Sequence, residues 1–248
     1  MKKILVTISI LFIAFIANTQ TIFLTQGRVE YEKKINQYIA LESDNDERNA
    51  WVAEYKKTLQ QFVTDIYELH FTGTKSVYKL KQENTDNKYL WGSKPSETDV
   101  VLQDIENNKL SIQRDVFEET YLIQDSIRMF DWKITGETRE IAGFECKKAV
   151  TKICDSVYIV AFFTDQIIAN TGPESFNGLP GLILGLAVPR LATTWFATKV
   201  ETTMATAKEL SPIQKGKKVN WKRFYLDMNK AMKDWGKEGA SNTWKFSL

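Results

Sequence analysis

Apolar and polar residues alternate along most of the chain, which is the pattern of β-strands that bury one face. Short segments of this kind recur between turn signals from residue 28 to residue 203. They predict a mainly β (α+β) fold built on an antiparallel sheet of eight to ten strands. An open sheet of this size tends to curl, so we expect a strongly curved sheet or a half-barrel with a cleft.

Two segments interrupt the strands with helical spacing. In residues 46–61, Trp51, Tyr55 and Leu59 lie four apart, which predicts one N-terminal helical insertion. Residues 221–236 predict a C-terminal helix that packs on the sheet, with Asn220 as N-cap and Gly236 as stop. We expect the first helix, or an open cleft, on the concave face.

The chain begins like a secretory signal peptide. Lys2 and Lys3 precede fourteen mostly apolar residues, 4–17, and small or polar residues follow. We therefore expect a signal peptide at residues 1–20 and a single domain at residues 21–248, with an uncleaved N-terminal anchor as the alternative. Export to the periplasm, the outer-membrane periphery or the outside of the cell follows, without an integral membrane segment after cleavage.

Charge excludes one class of partner. The chain has 33 Lys and Arg against 31 Asp and Glu, so cleavage of the signal leaves it neutral, unlike a typical nucleic-acid binder. Within this balance, residues 97–125 hold eight acids and two bases, and residues 208–238 hold nine bases and four acids. These segments are either solvated faces or parts of an electrostatically steered contact.

Few residues suit metal or nucleophilic chemistry. His70 is the single histidine, and Cys146 and Cys154 are the two cysteines, which disfavours a zinc site. The cysteines stand eight residues apart on one predicted strand and its turn, so we expect free thiols with Cys146 in the core. A carboxylate site for Ca²⁺ stays open, but we expect no metal, no cofactor and no catalytic group.

A glycine-rich stretch, GPESFNGLPGLILGL at residues 172–186, precedes a run of buried-strand character. Pro180 and Gly181 suit the two central positions of a type II turn. The stretch lacks the Lys and Ser/Thr of a phosphate-binding loop and the flanking glycines of a nucleophile elbow around Ser175. We expect a pre-shaped turn, structural or recognition, formed by Gly172, Pro173, Phe176, Asn177, Gly178, Leu179, Pro180, Gly181, Leu182 and Ile183.

This stretch resembles the signature of the GLPGLI family of secreted bacterial envelope proteins. The similarity extends over about residues 27–218, but Phe163 stands where the family has Tyr, and Ala169 where it has Pro. The resemblance implies export and carries no assigned activity. Upstream positions that match the family pattern are Trp132, Ile134, Glu137, Ile141, Gly143, Phe144, Cys146, Lys148 and Ala149.

Lys148 is a further candidate residue. Strict alternation puts it on the same face as Phe144, Cys146 and Val150, where a charge must pair, extend to solvent or line a cavity. It is therefore either turned outward by a β-bulge or a polar group in a binding cleft.

Three functional classes follow from these observations. The first is a non-enzymatic envelope protein that binds an apolar small molecule or lipid, or that assists an outer-membrane protein. The second is a structural or assembly protein without a small ligand, and the third is an enzyme of unrecognised class. A convergent polar cluster in a cleft would favour the third class.

Overall fold

The computed structural model describes residues 23–41, 52–90, 94–154, 156–211, 215–233 and 243–247. The expected signal peptide at residues 1–20 lies outside them, as do Trp51, Trp235 and Gly236. Within the described ranges, no helix combines the length and the apolar character needed to cross a membrane.

Strands dominate the described residues. Their bounds are β1 Gly27–Asn36, β2 Phe62–Phe71, β3 Lys75–Gln82, β4 Val100–Asp104, β5 Lys109–Val116, β6 Glu119–Asp125, β7 Lys133–Ile141, β8 Phe144–Ile153, β9 Val157–Thr164, β10 Leu182–Val188, β11 Thr193–Glu201 and β12 Lys217–Val219. All belong to one sheet of order β12-β6-β5-β4-β3-β2-β1-β11-β10-β9-β8-β7. Neighbours are antiparallel except for β12 and β6, which are parallel. The mainly β prediction is confirmed, but the sheet has twelve strands, not eight to ten, and it is open, not closed into a barrel.

The helical elements lie at the margins of the sheet. They are α1 (Gln37–Ala40), residues 52–56, a 3-10 turn (Pro189–Leu191), α2 (Trp221–Met232) and a second 3-10 turn (Thr243–Ser247). The Asn220 side chain accepts a hydrogen bond from the backbone N–H of Arg223, so the predicted N-cap is confirmed. Phe224, Met228 and Met232 form the buried side of α2, and the Phe224 ring meets Tyr121 of β6 edge to face.

Of the helix predicted at residues 46–61, the described part is helical only at residues 52–56, and it lies apart from the main core, so the first of the two alternatives for the concave face, the helix, is not observed. Val52 and Leu59 instead form a small cluster with Leu41, against which Tyr38, Tyr55 and Leu90 pack, apart from the main core. The reason is chain length: α1 follows β1 directly and residue 62 begins β2, so the insertion stays near the ends of those two strands.

We call the face of the sheet that carries Tyr31, Lys33, Tyr78, Arg114 and Trp195 the inner face, and the opposite one the outer face. Alternation and register place these residues together, since Lys33 pairs with Trp195 across β1 and β11. The Tyr31 hydroxyl donates to the carbonyl of Ile183 on β10, at 2.7 Å. The segment that covers this face is the connection between β9 and β10, residues 165–181, which we call the motif loop.

Strand β9 is apolar on both sides, as its sequence indicated, but it is covered unevenly. Phe163 is buried on the inner side, and Phe162 lies 6.4 Å from Phe196 of β11 on the outer side, ring centroid to centroid. The Arg139 guanidinium of β7 lies over both rings of this outer pair. Tyr158, at the other end of β9, is 62% exposed, so the outer side of β9 is covered over only part of its length.

Candidate functional site

The motif loop is attached to the inner face by polar and aromatic contacts. The Thr171 hydroxyl lies 2.7 Å from that of Ser76 on β3 and accepts a hydrogen bond from Gln103 on β4. Phe176 packs on Phe130 with ring centroids 5.0 Å apart. The indole N–H of Trp132 donates to the carbonyl of Asn177 at 2.8 Å, which gives Trp132 of the family pattern a structural role.

Two glycines of the motif allow backbone and core to approach closely. A Cβ at Gly181 would lie 2.0 Å from the Thr164 carbonyl oxygen, and one at Gly172 would lie 2.6 Å from Cβ of Ile183. Gly181 also has φ +145°, so the predicted positive φ is confirmed. The predicted type II turn is wrong: the Gly181 N–H bonds to Leu179 in a three-residue turn, and the Leu182 N–H bonds to Ile167.

The motif residues are buried apart from two. Gly178 and Pro180 are exposed, and the remaining members, Gly172, Pro173, Phe176, Asn177, Leu179, Gly181, Leu182 and Ile183, are buried. A loop buried to this extent is unusual, because its backbone polar groups need partners inside the protein. The motif therefore acts as a part of the core.

Glu174, within this loop, is the centre of a buried ionic cluster. It has φ +54°, a left-handed conformation that non-glycine residues seldom adopt. Its carboxylate lies 3.1 Å from Lys33 Nζ of β1 and 3.6 Å from Arg114 Nη2 of β5. Arg114 Nε is 3.9 Å from Asp99 Oδ2. We call Lys33, Asp99, Arg114 and Glu174 the inner cluster.

The central pair of the inner cluster is ionised. Burial opposes the charge of Glu174, but Lys33 and Arg114 outweigh it and hold the pKa of the carboxyl below its usual value. Burial likewise opposes the charge of Lys33, and Glu174 raises the pKa of the ammonium above its usual value. Each charge is therefore retained because the other is present.

Asp99 differs from Glu174. Burial raises the pKa of its carboxyl, and attraction to Arg114 offsets this only in part. Its side chain is 35% exposed and that of Lys33 22%, against 10% for Glu174. The inner cluster is therefore most exposed at Asp99 and at Lys33, and least exposed at Glu174.

Aromatic rings surround the ammonium of Lys33. Lys33 Nζ lies 5.1 Å from the ring centroids of both Tyr67 and Trp195, within the range of a cation–π interaction. Tyr67 stacks on Tyr78 with centroids 5.2 Å apart. Burial raises the pKa of the Tyr78 hydroxyl well above its usual value, so this group stays protonated and is a hydrogen-bond donor.

Three donors beside this cluster have no partner. The Tyr78 hydroxyl, the Ser175 hydroxyl and the Trp195 indole N–H are buried and make no hydrogen bond within the described residues. The Trp195 indole N–H lies near both the Glu174 carboxylate and the Tyr78 hydroxyl, since it acts to lower the pKa of each, but it has hydrogen-bond geometry with neither. Buried polar groups without partners are rare and costly, which makes this place in the fold a candidate site.

The structure separates Lys148 from the inner cluster. Lys148 lies opposite Phe162 on β8 and β9, so its side chain is on the outer face. It pairs with Glu137 at 2.8 Å, and Glu137 lies in the irregular part of β7 between Ile134 and Thr138. The irregularity is in β7, while β8 keeps its register with β9.

His70 and the cysteines lie away from the inner cluster as well. Cys146 is buried and Cys154 is exposed in the turn after β8, and both are free thiols. His70 Nε2 lies 3.2 Å from Glu68 Oε1, on the outer face of β2. The nearby His70, with help from Lys79, lowers the pKa of Glu68 to about 2.

Comparison with known proteins shows little beyond the fold. A family model described as a protein of unknown function (Porph_ging) matches residues 151–185, which include β9 and the motif loop. No curated protein matches the chain significantly.

The solved structures that resemble this chain include two of PNGF-II. The one in space group P21 has 17% identity and a TM-score of 0.50 and covers 82% of this chain and 32% of its own. The other, in space group C2, has 16% identity and a TM-score of 0.48, with 88% and 33% covered. Our chain thus spans about a third of the PNGF-II chain, and a likeness at this identity concerns the fold alone.

Proposed function

We propose that this protein is an exported, non-enzymatic envelope protein of the GLPGLI family that binds a small molecule at the inner cluster. The observation that carries the proposal is the set of three buried donors, on Tyr78, Ser175 and Trp195, without partners in the described structure. Leaving a buried donor unpaired costs about 1–3 kcal/mol. A ligand with acceptor oxygens would remove that cost.

The surroundings define the class of ligand. Two of the donors belong to the rings of Tyr78 and Trp195, which lie with Tyr67 near Lys33, so we expect an amphiphilic molecule with a largely apolar body and an oxygen-rich polar group. This refines the expectation of an apolar ligand or lipid. The ligand approaches from the side of Asp99 and Lys33, the more exposed members of the cluster.

Native mass spectrometry of protein purified from its own envelope tests the proposal. Wild type should carry an adduct that organic solvent extracts, and Tyr78→Phe, which removes one unpaired donor and keeps the ring, should lose most of it. Tyr158→Phe is the matched control because Tyr158 is 62% exposed on β9. Wild type without an adduct would favour the second class, a structural or assembly protein.

One observation favours an enzyme as a second candidate. Asp99 and Glu174 lie on either side of Arg114, and the pKa of the first is raised while that of the second is lowered. Two carboxyl groups with pKa values moved apart are the usual arrangement of a general acid and a base. If the protein is an enzyme, Asp99→Asn should accumulate a co-purified compound of different mass from that on wild type. Identical adducts on both would support simple binding.

A further inference from the structure

The last strand and helix concentrate positive charge at one edge of the sheet. Residues 215–233, which we call the basic edge, contain seven bases and one acid, whereas the whole chain has 33 bases and 31 acids. The rest of the chain is therefore acidic, with 26 bases and 30 acids. β12 is the terminal strand of the sheet, so this charge lies at a margin and not in a cleft.

The solvent side of α2 has the composition of a membrane-surface helix. Phe224, Met228 and Met232 are buried against the protein. Helical spacing puts Lys222, Leu226, Lys230 and Lys233 together on the opposite side, where all four are exposed. Leu226 is 54% exposed in the middle of these lysines, and the neighbouring Tyr225 is 40% exposed.

Ion pairs inside the basic edge leave most of its charge uncompensated. Asp227, its single acid, pairs with both Lys217 and Arg223, at 3.2 and 2.9 Å. The acidic strand β6 runs beside β12, yet no ion pair joins them within the described residues. Asp125 of β6 instead accepts a hydrogen bond from the backbone N–H of Trp221. The exposed lysines are thus available to an external partner.

We propose that the basic edge docks on an anionic lipid surface, with Leu226 and Tyr225 in the headgroup region and the lysines around them on the lipid charges. The exposed apolar residues among the lysines favour a lipid surface over a purely polar polyanion. Six of the seven bases are lysines, which act as point charges without the planar fork with which arginine recognises individual phosphates. This docking is independent of the ligand site.

Vesicle flotation of the purified full chain tests the proposal, with neutral phosphatidylcholine vesicles against vesicles that contain phosphatidylglycerol. The apolar residues 4–17 are present in every variant, so the informative quantities are the differences between lipids and between variants. Wild type should bind the anionic vesicles more tightly, and added salt should weaken this binding. Equal binding to both lipids would overturn the proposal.

Variants separate charge from apolar contact. A variant with Lys218, Lys222, Lys230 and Lys233 changed to Gln should lose at least tenfold in affinity, because each lysine near an anionic surface contributes roughly fivefold. The matched control changes Lys88, Lys109, Lys133 and Lys152, also exposed, and should bind nearly as wild type. Leu226→Ser should weaken vesicle binding and leave binding to heparin unchanged.

Three results would contradict membrane docking. These are equal losses in the two lysine variants, unaltered vesicle binding by Leu226→Ser, and binding of wild type to heparin or an oligonucleotide without binding to vesicles. Far-UV circular dichroism and thermal unfolding show whether each variant is folded, and all substituted residues are exposed at the surface.

Discussion

Ion pairs on the two faces of the sheet share their chemistry and differ in their surroundings. On the outer face, Arg28 and Lys199 flank Glu201, with side chains 25–57% exposed. On the inner face, Lys33 and Arg114 flank Glu174, with side chains 10–22% exposed. Water screens the outer charges, so those pairs contribute little to stability. The inner charges depend on one another, because none can keep its charge in the core alone.

The same difference is the reason that we expect a ligand site on the inner face and none at the ion pairs of the outer face. The outer carboxylate Glu201 pairs with Lys199 of its own strand, β11, and with Arg28 of the adjacent strand, β1. Glu174 belongs to the motif loop and stands 141 residues from its partner Lys33 in the sequence. Its backbone also adopts a strained, left-handed conformation. Strain together with unpartnered buried donors is typical of a functional site and unusual for a purely structural pair.

The largest expected effect comes from removal of the inner carboxylate. Glu174→Ala should lower the free energy of unfolding by about 3–5 kcal/mol, because Lys33 is left buried without an opposite charge and Arg114 loses one of its two carboxylate neighbours. Urea unfolding measures the change. The matched outer variant, Glu201→Ala, should unfold at nearly the wild-type midpoint. Similar losses in the two variants would remove the distinction between the faces.

Gly181→Ala should have the next largest effect. The substitution combines a positive φ with a Cβ 2.0 Å from the Thr164 carbonyl oxygen, so we expect a loss of about 2–4 kcal/mol. Gly178→Ala is the control: it has φ +88° too, but its Cβ meets Trp132 only at 3.9 Å. Its loss should be about 1 kcal/mol. Equal melting temperatures for the two variants would show that the loop is not held as described.

Some features of this fold could be predicted from the sequence, and others could not. The mainly β character, the Asn220 cap, the positive φ of Gly181 and the buried Cys146 follow from local patterns, which act over a few residues, whereas the predicted number of strands, eight to ten, is lower than the observed twelve. Strand β12 could not be predicted, because its three residues, KKV, are too few to show a periodic pattern and form a strand only by pairing with β6.

The inner cluster was missed for a different reason. Its members come from β1, β5 and the loops before β4 and β10, and they meet only because of the twelve-stranded topology. A partial signal existed in the sequence. Lys33 lies on the same face of β1 as the buried Val29 and Tyr31, and Arg114 lies on the same face of β5 as the buried Leu110 and Ile112. By alternation, Lys148 likewise shares a face with the buried Cys146, yet it lies on the outer face, because alternation along one strand does not show on which side of the sheet that face lies.

The pH dependence of stability sharpens the comparison. Glu174 has a lowered pKa in the folded state, so its stabilisation is present above the usual value of 4.5 and is lost as the pH falls towards the folded-state value. Lys33 has a raised pKa, so its contribution is complete below the usual value of 10.5 and is lost only in stronger base. The difference in unfolding free energy between wild type and Glu174→Gln should therefore be largest near pH 7 and should shrink at about pH 3. A difference that stays constant or grows in acid would show that Glu174 is not ionised.

Removal of an unpaired donor should have the smallest effect on stability. Tyr78→Phe deletes a buried hydroxyl that makes no hydrogen bond in the described structure, so the ligand-free protein should be unchanged or up to about 1 kcal/mol more stable. Differential scanning calorimetry after ligand extraction measures this. A clear loss would mean that the hydroxyl has a partner inside the protein and is not reserved for a ligand.

The most direct test of the account is a pair of double-mutant cycles, one for Lys33–Glu174 and one for Arg28–Glu201, measured by urea unfolding near pH 7. Lys33→Met and Glu174→Gln, singly and together, give the coupling energy of the inner pair; Arg28→Met and Glu201→Gln give that of the outer pair. We predict about 2–3 kcal/mol of favourable coupling inside and a clearly smaller value outside. An outer coupling as large as the inner one would contradict the central claim that the motif loop is held by a buried, mutually dependent ion pair.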